Sequence, residues 1–196
     1  MISFAAAVFF LIITPGPGVL STAGVGSAFG FRAGFAYVTG LWAGNNFVSL
    51  IVITGLAASL LASDIIRTIL MLLSTAYLFY LATRIIFAGA EIGFMKATSK
   101  PGLLSGIFLQ LVNPKAYAVN TALFTSFAFM PDNISAEIII KLVIFNVIWI
   151  PIHLLWLYMG VQIHQLNLAP STTRMINIIM GLSLSLVVIL SLLSLS

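Results

Sequence analysis

Two motifs place prolines, small polar residues and a lysine inside apolar runs, where a plain lipid-crossing helix has no use for them. The first is FFLIITPGPGVL, centred on Thr14, Pro15, Gly16 and Pro17; the second is IFLQLVNPKAYAV, centred on Asn113, Pro114 and Lys115. Proline in a helix interior removes a hydrogen bond and clashes with the preceding turn, at a cost of ~3 kcal/mol or more. In hydrocarbon the freed backbone groups need protein, water or a ligand as partners. A helix restarting after each proline aims unpaired N–H groups and its positive dipole end at the membrane centre, which suits a small anion such as a carboxylate. Thr14 and Asn113 are both good N-cap types, and a proline follows each at the favoured first helical position. Lys115 then sits against the dipole of its own helix, and an ionisable group at mid-membrane is costly. It calls for a substrate carboxylate, or for carbonyls left open by the preceding half-helix.

The surrounding composition says what carries these breaks. Hydrophobic residues make up 61% of the 196, charged residues 6%, and mean hydropathy is +1.20. Soluble domains are about a quarter charged, so this reads as an all-α integral membrane protein whose partner is the lipid bilayer. The chain has no cysteine, which excludes disulfides, thiolate metal sites and dithiol relays. Its net charge of +4 is scattered, with no basic block for nucleic acid. No H-E-x-x-H zinc signature is present, and GVGSAFG around Ser27 is no protease nucleophile motif. An enzyme is therefore not expected, nor a cofactor. No Lys or Arg precedes the first apolar run, so a signal peptide is not expected and Ile2 onwards is read as a retained span.

At about 20 apolar residues per crossing, six spans are expected, near 2–24, 35–61, 66–88, 102–130, 138–161 and 174–194. Gly30–Gly34 around Arg32, Ser63-Asp64, the loop 89–101, Pro131-Asp132-Asn133 and the polar stretch Gln162–Thr173 divide them. Arg32, Arg84, Lys96, Lys100 and Arg174 fall on one side, and Arg67 and Lys141 on the other. The richer side is expected in the cytoplasm, with both termini outside. Three spans per half force the halves into opposite orientation. The expectation is one domain, 1–196, built as two inverted three-helix repeats, about 1–90 and 101–196, with helices 1 and 4 broken. Thr14 and Asn113 lie 99 residues apart, and Asn45 and Asn46 stand 100 to 101 before Asn146. Broken helices at matching points of two halves point to a transporter's central site. Pro15 lies ~20 Å from the outer face and Pro114 ~18 Å from the inner one, so the breaks flank the midplane.

Other polar residues inside spans have two readings. Asn45, Asn46 and Asn146 either line a pathway or tie helices together. Gln110, one turn before Asn113, faces the same cavity or does not. His153 relays a proton or is a hydrogen-bonded packing residue. Gly40 and Gly44 form a small-xxx-small pair suited to close helix contact, and Ser183, Ser185, Ser191 and Ser194 are expected to bond the backbone. Asp64, Glu91, Asp132 and Glu137 all fall in loops or at span ends, so no buried counter-ion is expected. That disfavours a cationic substrate.

Together, ITPGP in the first span, GFRAG after it, AYLFYLATRII in the third and LVNPKAYAV in the fourth resemble the LysE/RhtB superfamily of amino-acid exporters, over the whole chain. The resemblance implies secondary-active export of amino acids from the bacterial cytoplasm across the inner membrane, driven by ion gradients, with the proton as the expected coupling ion. It makes Thr14, Pro15, Gly16, Pro17, Asn113, Pro114 and Lys115 the family's motif positions. Gly18 departs from many relatives, in which a polar or acidic residue follows TPGP. Small neutral, zwitterionic amino acids are the expected substrates. Whether the chain forms a homodimer is left open, and a channel for another small solute or ion is the second reading.

Overall fold

The computed structural model describes residues 1–55, 63–87, 100–166 and 169–193. The described residues are mostly helical, with no strand among them. Seven helices follow in order: α1 (Ile2–Ile13), α2 (Pro17–Ile53), α3 (Asp64–Ile86), α4 (Leu103–Val112), α5 (Pro114–Thr125), α6 (Ile134–Gln165) and α7 (Pro170–Leu193).

The longest helix is not straight. Gly30, inside α2, has φ 77° and ψ −177°, a left-handed φ that only glycine adopts without strain. The chain reverses there. Tyr37 Oη donates to Ser21 Oγ at 3.0 Å across 16 residues, which a straight helix would hold about 24 Å apart. Residues 17–29 and 31–53 are therefore the arms of a helical hairpin, turning where the Gly30–Gly34 break is expected, with Arg32 exposed on the turn. By length and composition, Pro17–Ile53 and Ile134–Ile163 are apolar enough to cross a membrane.

Three boundaries differ from the sequence expectation. The fourth apolar segment stops at Thr125 rather than 130, because Ser126 is extended and Phe127 takes φ 60°. The next helix starts at Ile134, four residues early, capped by Asn133 Oδ1 accepting from Ala136 N–H at 3.0 Å. The last begins at Pro170, whose fixed φ suits a first helical position. At the Ser63-Asp64 division, Ser63 caps α3, accepting from Ile66 N–H. Most of the loop expected at 89–101, with Glu91 and Lys96, lies outside the described residues, as do Ser194 and the side chains of Ser183 and Ser191. Ser185 Oγ donates to the Gly181 carbonyl at 3.0 Å.

The core gathers around α2, which packs along α4, α5 and α6, while α3 pairs with α7. Phe4, Tyr37, Phe145 and Trp149 are its largest buried side chains. A Cβ on Gly40 would collide with the Leu103 carbonyl, and one on Gly44 would lie 2.9 Å from that of Ile107. The small residues thus let α2 and α4 meet backbone to backbone. Ile2, Phe10 and Leu104 face outward at 88%, 67% and 78% exposure, a distribution suited to lipid rather than water.

One expectation is overturned at the end of α5. Glu137 is a buried counter-ion. Its Oε1 lies 2.9 Å from Lys141 Nζ, and its Oε2 accepts the N–H groups of Phe129 and Met130 at 2.7 and 2.5 Å. Lys141, 2% exposed, also donates to the Ser126 carbonyl at 2.9 Å. Because α6 starts early, Glu137 lies in its first turn beneath segment 126–133 instead of in open solvent.

Candidate functional site

Both breaks form where the prolines fall, but they are capped differently. At the second, Asn113 Oδ1 accepts from Lys115 N–H at 3.1 Å, with Pro114 opening α5. This is the expected N-cap. At the first, Thr14 is not an N-cap. It closes α1, and its Oγ1 donates back to the Phe10 carbonyl at 2.5 Å. Gly16, extended at φ −164° and ψ 179°, precedes α2, and Pro17 is the first helical residue. With two prolines in a row of four residues, the helix restarts at the second and leaves Thr14 on the other side of the gap.

The two gaps touch. Lys115 Nζ donates to the Thr14 carbonyl at 2.9 Å across 101 residues. A Cβ on Gly16 would stand 2.8 Å from that same nitrogen, so glycine is needed for the lysine to lie where it does. Lys115 opposes the dipole of α5 but sits at the negative end of α1, which offsets that cost. The carbonyl it meets belongs to the other break, not to the half-helix before it.

Around this contact lies a small cavity. Thr14, Gly16, Gly18 and Val19 line it from the first break, and Gln110, Asn113 and Lys115 from the second. Asn45 closes it from α2, and Trp149 and His153 from α6. Its volume is about 40 Å³, room for about three waters at one per 10–15 Å³. Asn45, 3% exposed, accepts at Oδ1 from Gln110 Nε2 and Asn120 Nδ2, both at 3.3 Å. Asn120 Oδ1 in turn accepts from Ser49 Oγ at 2.6 Å. This leaves Asn45 Nδ2 buried with no hydrogen-bond partner, an exception that most buried polar atoms avoid.

Thus Thr14, Gly16, Asn45, Gln110, Asn113 and Lys115 come together, while Pro15, Pro17 and Pro114 shape the backbone behind them. Asn46 and Asn146 do not line the cavity and bond each other instead. Asn120, Ser49 and Trp149 are participants that the residue pattern alone did not single out. Spacing holds a signal for each: Asn120 lies two helical turns after Asn113, Ser49 one turn after Asn45, and Trp149 one turn before His153.

The family described as LysE type translocator matches residues 9–194. The chain belongs to this family. Like other LysE type translocators, it is a membrane protein, and membership points to a transporter rather than an enzyme. It is similar to the leucine efflux proteins of Enterobacter sp. (strain 638), 26% identical over 61% of this chain and 59% of that protein, and of Klebsiella pneumoniae subsp. pneumoniae, 24% identical over 60% and 58%. It therefore spans under two thirds of the length of these relatives. The uncharacterized membrane protein YrhP of Bacillus subtilis is 26% identical over 71% of this chain and 74% of its own. No solved structure matches the chain.

Proposed function

We propose that this LysE type translocator is a secondary-active exporter of neutral, zwitterionic amino acids, with leucine-sized substrates foremost, across the bacterial inner membrane. The observation that carries this reading is the meeting of both broken helices at one polar cavity, through Lys115 and the Thr14 carbonyl. Donors converge there: Lys115 Nζ, the unpartnered Asn45 Nδ2 and the N-terminal end of α2. These suit a substrate carboxylate. The naming of two relatives as leucine efflux proteins supports the choice of substrate.

In this reading the chain crosses the membrane six times, as two inverted repeats with the loop around Lys100 in the cytoplasm. The hairpin at Gly30 supports the count, because its arms and the α1 break make two crossings of residues 2–53. A cavity of about 40 Å³ is too small for leucine, so the walls part to admit it from one side at a time, with the proton as the counter-ion. Purified protein in liposomes preloaded with unlabelled leucine tests this. Labelled leucine should accumulate transiently above its outside concentration, since only a carrier exchanges. Equilibration without overshoot would make it a channel. Faster transport of lysine than of any neutral amino acid would overturn the substrate class.

A further inference from the structure

The side-chain amide oxygens around the cavity already accept hydrogen bonds. A zwitterion needs acceptors as well as donors. Asn45 Oδ1 is taken up by Gln110 and Asn120. The Thr14 carbonyl is taken by Lys115, and Gln110 Oε1 accepts from Asn113 Nδ2 at 3.1 Å. Beside these engaged oxygens stands an imidazole nitrogen with no partner among the described residues. His153, 3% exposed, stacks on Trp149 with ring centroids 3.5 Å apart and planes inclined by 14°. Its Nδ1 lies 3.0 Å from the Trp149 carbonyl. A carbonyl only accepts, so Nδ1 carries the hydrogen and Nε2 presents a lone pair. Nε2 points toward Gly18: a Cβ built there would lie 3.4 Å from it, with no other atom within 4 Å. No hydrogen-bond partner for Nε2 is present among the described residues.

Resting on the export reading, we propose that His153 Nε2 accepts a hydrogen bond from the ammonium group of the amino acid, so that a proton and the substrate compete for one nitrogen. Mutually exclusive occupation of one atom is the elementary requirement of an exchanger. A proton arriving from one side expels the amino group, and an amino acid arriving from the other prevents protonation. The coupling is reciprocal by linkage.

Among the described residues, the other charged and titratable groups near the cavity leave this competition to His153. Lys115 shares the cavity but is held by Thr14. Tyr37 and Tyr117 are turned away, their hydroxyls donating to Ser21 and to the Leu111 carbonyl. Arg32 and Tyr158 are exposed. Glu137 and Lys141 pair with each other, about 24 and 18 Å from His153 along α6.

Binding of leucine and of its deaminated analogue, 4-methylpentanoate, to the purified protein between about pH 5 and 8 tests the inference. Leucine affinity should fall toward acid pH by up to tenfold per unit, while the analogue, an anion facing an imidazolium, should not weaken. His153→Gln keeps a neutral acceptor and should lose the pH dependence. His153→Phe should weaken leucine about ten- to hundredfold and spare the analogue. Leucine binding that ignores pH, or His153→Phe preserving the preference for leucine over the analogue, would overturn the inference and leave the export reading intact. Wild-type protein that binds no amino acid would overturn both.

Discussion

Asn46 and Asn146 hydrogen-bond each other in both directions, Nδ2 to Oδ1, at 3.1 and 3.0 Å. Each amide also donates to the carbonyl four residues before it, that of Trp42 or Leu142, at 2.9 Å in both cases. The residues are 100 apart, the offset expected between the two proposed repeats. A residue that meets its own counterpart lies near a two-fold axis, which supports the reading of two inverted repeats. The pair ties α2 to α6 and does not line the cavity. Asn46→Leu and Asn146→Leu should each destabilise the purified protein, and the double variant by less than their sum. A coupling of about 0.6–1.7 kcal/mol is expected in a double-mutant cycle of unfolding, with leucine affinity unchanged.

Lys115→Met removes both the cap on Thr14 and the proposed carboxylate donor. The ligand-free protein should melt at a lower temperature, and leucine affinity should fall by about 1.5–3 kcal/mol, read from the loss of its thermal shift. Gly16→Val should reproduce the loss of affinity by pushing the ammonium aside while its charge remains.

Pro114→Ala restores an N–H at the start of α5 and lets the segment Leu103–Thr125 straighten. Transport should fall while the protein remains folded by circular dichroism. Undiminished transport by both this variant and Lys115→Met would remove the second break from the mechanism.

Orientation is read with single cysteines, since the natural chain has none. Lys100→Cys should be shielded from an impermeant thiol reagent added outside intact cells, and Asp132→Cys should react. The reverse pattern would sink the proposed topology.

Glu137→Gln strands the Lys141 ammonium among Phe4, Phe129 and backbone carbonyls. It should lower the melting temperature, and adding Lys141→Met should recover much of the loss, because a lone buried charge is worse than none.

The breaks were legible because proline chemistry is local: a missing N–H and a fixed φ act wherever the residue stands. The hairpin turn was legible for the same reason, from Gly30 and Gly34. What the cavity does with those breaks was not. That Lys115 reaches Thr14 rather than its own half-helix depends on how α1 and α5 pack, a contact across 101 residues. Asn45, Asn46 and Asn146 were indistinguishable as polar residues inside spans. Only the rotation of each helix puts Asn45 inside and turns the other two toward each other. Glu137 was misjudged because a shift of four residues in the start of α6 decides whether it meets water or Lys141.

The cavity wall carries one fixed charge, the Lys115 ammonium, and no acid among its described residues. In the proposed exchange the departing zwitterion carries no net charge and the entering proton carries one, so each turnover would move one net positive charge inward. Such export would be electrogenic. An interior-negative potential contributes about 2.3 kcal/mol per charge for each 100 mV, about a fiftyfold outward gradient of the amino acid. Such a cell could empty itself of leucine on voltage alone, with no difference in pH across its membrane.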